Sequence, residues 1–107
     1  MFIHKPTGHS VRVITGGAQD PSGIRSVQVS VIYLGKGGSC RYLATPKTFK
    51  TIACYLFGST PFLQAAGRKH WALRLPRSIK GPIVLRARAI DNVGNVGQTQ
   101  QLSVTLR

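Results

Sequence analysis

Residues 24–34 read IRSVQVSVIYL, and this stretch constrains the fold more tightly than any other. Val27, Val29, Val31 and Tyr33 alternate with Ser26, Gln28 and Ser30. Successive side chains of a strand point to opposite faces, so this pattern sets one apolar face on a core and one polar face away from it. The same period recurs along the chain. Val11 and Val13 flank an outward Arg12, and Trp71, Leu73 and Leu75 flank an outward Arg74. Ile83, Leu85, Ala87 and Ala89 read inward with Arg86 and Arg88 outward, and Leu102, Val104 and Leu106 close the series. No window of about 11 residues or more carries a helical stripe.

Turn chemistry separates these runs. DPSG at 20–23 has proline second and glycine fourth, as a type I turn favours. RSIKGP at 77–82 reads as a turn, because Pro76 and Pro82 bar strands from continuing through it. CRYLA and TIACYLFG read as strands joined by TPKTF, and STPFLQAAGRKH reads as a loop with an extra strand around Phe62–Gln64. About seven short strands in a chain of this length predict an all-β, two-sheet β-sandwich. A small barrel is the alternative. The 107 residues suffice for one core. Residues 1–9 are expected as an N-terminal extension and 10–107 as a single domain.

Fifteen Lys and Arg against two acids give a net charge of +13. Such a surface attracts polyanions: nucleic acid, anionic lipid, teichoic acid or acidic polysaccharide. The plainer alternative is compositional drift toward arginine together with solubility. Arg12 and Arg74 project from one expected sheet and Arg86 and Arg88 from the other, while Lys36, Lys47, Lys50, Arg68, Lys69, Arg77 and Lys80 fall in loops. That distribution is more diffuse than the basic stripe of a sequence-reading nucleic-acid protein. Phe49, Tyr55, Phe57 and Phe62 lie near Lys47, Lys50, Arg68 and Lys69 in the chain, and these eight form the candidate ligand surface. The alternative is that the aromatics cover an open side of the core.

Both acids sit at the head of D-x-x-G segments, Asp20 to Gly23 and Asp91 to Gly94. A carboxylate there accepts from backbone N–H groups two residues on and fixes the bend, so both read as turn caps. Calcium takes six to eight oxygens, several of them carboxylates. Two carboxylates with Asn92 and Asn95 make a poor set. Glycosidase chemistry needs two free carboxylates, and a serine triad would have to recruit His4, His9 or His70. A cysteine nucleophile has only His70 to call on, and no phosphate-binding glycine motif is present. The expectation is a chain without catalytic residues, metal or cofactor.

Cys40 and Cys54 flank a polar segment and lack metal-ligand spacing. A bridge between them closes a loop of about 15 residues, worth ~3 kcal/mol, and implies an oxidising compartment. Two buried free thiols are the alternative. The longest apolar runs, VIYL and ACYLF, fall far short of a membrane span. MFIHKPTGHS lacks a signal-peptide core, so either a cytoplasmic chain or a fragment of a secreted parent is expected.

Gly17, Ala18, Asp20, Ser22 and Gly23, leading into Val27–Val31, then Trp71 and Leu73, then Ala87 through Asn95, resemble the bacterial Ig-like domains of secreted and cell-surface proteins. Those are related in shape to fibronectin type III modules. The resemblance covers most of the chain except residues 36–66. It implies an Ig-like, fibronectin III-like sandwich outside the cell or at its surface, and it supports the disulfide. It also implies a non-catalytic module acting in structure, adhesion or assembly, whose partners are neighbouring modules or filament subunits. Two alternatives stand beside it: a basic module binding anionic polymers, and an accessory carbohydrate-binding domain of a polysaccharide-active enzyme. The departure is the basic charge. Oligomeric state is left open by the sequence.

Overall fold

A computed structural model describes every residue except Lys36, so the placement expected for that lysine lies outside the described residues. The strands are β1 (Phe2–Ile3), β2 (Val11–Gly17), β3 (Ile24–Leu34), β4 (Ser39–Thr45), β5 (Thr48–Ala53), β6 (Leu63–Gln64), β7 (Ala66–Gly67), β8 (His70–Ile79), β9 (Gly81–Asp91) and β10 (Gln100–Leu106). A 3-10 helix spans Cys54–Ser59. The strands form two antiparallel sheets, ordered β1-β2-β8-β7 and β10-β9-β3-β4-β5, with β6 paired to β3. The molecule is a β-sandwich in class.

The core lies between the sheets and is the set that alternation picks out. Val27, Val29 and Val31 of β3, with Ile83, Leu85 and Ala87 beside them on β9, pack against Leu73 and Leu75 of β8 in the other sheet, all buried. Trp71 and Leu106 are buried with them, and Leu102 and Val104 are half-buried against them.

In β2 alternation fails for a physical reason. Val13 is 40% exposed while Ile14 is 1% exposed, the reverse of the expected facing. Val11 pairs with Ile79 and Val13 with Arg74, so the register shifts between them. A bulge re-aims every side chain beyond it by one position. The same bulge accommodates Pro76. Rather than ending at a turn, β8 runs through Pro76 to Ile79, and the proline sits in the stretch that skips the ladder. The Arg12 guanidinium donates to the Pro76 carbonyl at 3.3 Å across this gap. Pro82 opens β9 where only β10 is its neighbour. The expected turn at 77–82 therefore shrinks to the link between β8 and β9.

Two further expectations change. The strand read into TIACYLFG ends at Ala53, and the chain continues as the 3-10 helix. Residues expected as an extension supply β1, where Phe2 pairs with Gly17 and Ile3 with Gly16. Glycine is required at 16: a Cβ there would meet the Phe2 carbonyl at 2.2 Å and the Trp71 ring at 2.3 Å. Among the described residues, no helix is long and apolar enough to cross a membrane.

Candidate functional site

The outer face of the larger sheet is where the structure gathers charge and aromatic rings. Directly paired residues share a face, so Arg86 of β9 lies beside Ser30 of β3, and Arg88 beside Gln28. Farther across, Ile32 lies beside Tyr42, and Tyr42 beside Lys50. Leu34, Cys40 and Ile52 form the next row.

The Cys40–Cys54 disulfide is present, with Cα atoms 4.9 Å apart and a sequence separation of 14. It ties the 3-10 helix to β4, and the Cys54 N–H donates to the Gly38 carbonyl at 3.1 Å. From that anchor residues 54–62 run over the sheet. At the other end Thr60 caps the helix, its hydroxyl donating to the Phe57 carbonyl at 2.8 Å. Thr60 is buried against Ser30, the two hydroxyl oxygens lying 3.0 Å apart.

Arg86 binds this junction. Its guanidinium donates to Thr60 Oγ1 at 2.8 Å, to the Phe57 carbonyl at 3.1 Å and to Ser30 Oγ at 3.2 Å. All three acceptors are neutral. Burial, reinforced by the charge of Arg88, holds the Arg86 guanidinium below the ordinary arginine range. Its Nε is buried without a hydrogen-bond partner. The guanidinium centre lies 5.0 Å from the Phe62 ring centroid and 5.7 Å from that of Phe57. Arg88 stacks on Phe62 at 4.0 Å and donates from Nε to Gln28 Oε1 at 2.8 Å. Phe62 is thus flanked by two cations.

Beyond this base the helix is exposed. Tyr55 is 84% exposed, Leu56 43% and Phe57 38%. Three consecutive large apolar residues project from a turn fixed at both ends.

The eight residues of the candidate ligand surface therefore divide among three places. Lys50, Tyr55, Phe57 and Phe62 share the outer face. Lys47 and Phe49 line a cleft of about 290 Å³ at the sandwich end with Arg41, Thr48, Pro76 and Arg77. There Phe49 meets Tyr33 edge-on at 5.2 Å, and Arg77 lies over both rings and donates to the Tyr33 hydroxyl. Arg68 and Lys69 border an open groove of about 780 Å³ beside Gln19, Asp20, Pro21 and Ile24. Alternation alone shows Arg86 and Arg88 only as outward charges on β9. Their partnership with the aromatics arises because the chain returns over the sheet, which alternation does not report.

Asp20 and Asp91 are engaged by their own turns. Asp20 Oδ1 accepts from the Ser22 N–H at 2.8 Å. Asp91 Oδ1 accepts from the Val93 N–H at 3.0 Å and the Asn95 N–H at 2.8 Å. Both acids line one cleft with Asn95, but among the described residues no three His, Cys, Asp or Glu side chains come together as a metal site.

Compared with known protein families, curated proteins and solved structures, the chain matches none.

Proposed function

We propose that this chain is a non-catalytic immunoglobulin-like module of a secreted or cell-envelope protein, of the bacterial Ig-like kind, acting in structure, adhesion or assembly. The observation that carries this reading is strand order. A variable-type immunoglobulin sandwich sets strands A, B, E and D in one sheet and adds C′ and C″ to G, F and C in the other. With the two-residue β6 left aside, the order β1-β2-β8-β7 against β10-β9-β3-β4-β5 is compatible with it. The disulfide lies elsewhere than in antibody domains, joining β4 to the helix after β5. It supports an oxidising setting, since such bonds persist outside reducing compartments.

The test is the intact mass of protein secreted from its host and purified without reductant, before and after iodoacetamide in denaturant. No added mass is the expected result. Two carbamidomethyl groups would remove the basis for an extracellular address.

A second reading, a module for soluble anionic polymers, is supported by the cleft where Arg41, Lys47 and Arg77 converge without a carboxylate in its lining. It predicts binding to duplex DNA that weakens with salt at a log–log slope of about −0.9 per phosphate neutralised. Accessory sugar binding has less support. Guanidinium groups already stack on Phe57 and Phe62.

A further inference from the structure

We infer that the outer face of the larger sheet docks on an anionic phospholipid bilayer, with Tyr55, Leu56 and Phe57 entering the interface and Lys50 and Arg88 meeting the headgroups. Exposed apolar side chains on a monomer are ordinarily scattered singly. Here three are consecutive, on a helix without buried residues that is pinned by Cys54 and capped by Thr60. Leu34, 46% exposed, adds to them on the same face. Rigid mounting removes the ordering cost that a floppy loop would meet on insertion.

The choice of partner follows from three features of this face. First, its charge is of one sign: Lys50, Arg86 and Arg88 lie on it, while Asp20 and Asp91 are held in turns between strands. Basic groups beside an apolar wedge suit an anionic lipid surface. Second, the rings of Phe57 and Phe62 already stack on arginine, which leaves only Tyr55 fully exposed for a sugar or base, with Tyr42 half-buried in the sheet. Third, Leu56 offers nothing to a sugar or a base but gains fully from an acyl environment. Arginine and tyrosine are also residues that reach between apolar and aqueous layers.

Docking here rests on reading this face as the working surface of a non-catalytic module. The vesicle measurement uses the oxidised protein, so a failure to bind lipid is distinct from a free-thiol result in the mass measurement above.

The experiment is co-sedimentation of the intact protein with phosphatidylcholine vesicles, with and without phosphatidylglycerol, beside a parallel titration with soluble polyphosphate. The probe variants are Tyr55→Ser/Leu56→Ser together and Lys50→Glu, all at exposed positions, each checked for an unchanged urea midpoint. The inference expects binding only when phosphatidylglycerol is present, weakened by salt. It expects a loss of at least about tenfold in the double variant and about fivefold or more in Lys50→Glu. Polyphosphate binding should be untouched by the double variant. Absence of vesicle binding overturns the inference. So does equal vesicle binding by the double variant, which would reduce the effect to net charge. Polyphosphate binding that falls in step with vesicle binding in the double variant overturns it too, because the face would then read soluble polyanions.

Discussion

The Asn92 carboxamide donates to the Ser22 carbonyl at 2.9 Å, joining two turns that lie 70 residues apart in the chain. The Asn92 N–H also donates to the Gly23 carbonyl at 3.2 Å, and Arg25 returns to the Asn92 carbonyl at 2.9 Å. Each turn is first shaped by its own aspartate and then fastened to the other. The chain's two acids thus serve one end of the sandwich.

That arrangement predicts a graded series. Asn92→Ala removes the side-chain tie but keeps the backbone one, and should cost about 1 kcal/mol. Gly23→Ala should cost more, about 1–3 kcal/mol, because φ is +82° and the new Cβ would lie 2.3 Å from Asn92 Nδ2. Urea titration of both variants gives the order; no loss in Asn92→Ala would mean the side-chain tie does not couple the turns.

Asp91→Ala strips the acceptor from two backbone N–H groups at once, whereas Asp20→Ala strips it from one. The expected losses are about 2 and 1 kcal/mol, both within a single cooperative transition. Equal losses would show that one of the Asp91 bonds carries no weight.

Reduction of Cys40–Cys54, or Cys40→Ala/Cys54→Ala, should lower stability by about 2–4 kcal/mol. It should also free one end of the exposed helix. Limited proteolysis is then expected to cut first within residues 55–59, where the oxidised protein resists. Cleavage elsewhere would mean that Thr60 and Arg86 suffice to hold the segment.

Arg86 separates charge from packing. Arg86→Ala loses the stem beneath Phe57 and Phe62 along with three hydrogen bonds, for about 2–3 kcal/mol. Arg86→Met keeps the stem and removes a half-buried charge that meets only neutral acceptors, so its cost should be about 1 kcal/mol or less. Burial lowers the folded-state affinity of Arg86 for its proton, so the unfolded chain binds that proton more tightly. Stability from this group therefore rises with pH only above the lowered value, in the strongly alkaline range. Between mildly acidic and mildly alkaline pH the difference between wild type and Arg86→Met should stay flat in urea midpoint. A slope there would implicate another titrating group.

Alternation and turn chemistry are local properties of the chain. The apolar positions of β3, β8, β9 and β10 were legible because a strand's side chains alternate whatever it pairs with. Val13 and Ile14 were not, because a bulge depends on how β8 crosses Pro76 opposite Arg12. Half of the candidate ligand surface came together, namely Lys50, Tyr55, Phe57 and Phe62. Lys47 with Phe49, and Arg68 with Lys69, were carried elsewhere by β5 and by the link into β8.

From the sequence alone came an all-β chain with one core, two aspartate-headed turns and a cysteine pair within reach of one another. Each of these follows from residue type and spacing over a few positions. Tertiary structure decided which turn meets which, where Phe62 finds its two arginines, and that residues 54–62 return over the larger sheet. Those outcomes depend on contacts between segments distant in the chain, where the strength of a cation on a ring or a buried hydroxyl pair is set by what surrounds it. Neither Ser30 nor Arg86 carries that information in its own neighbourhood.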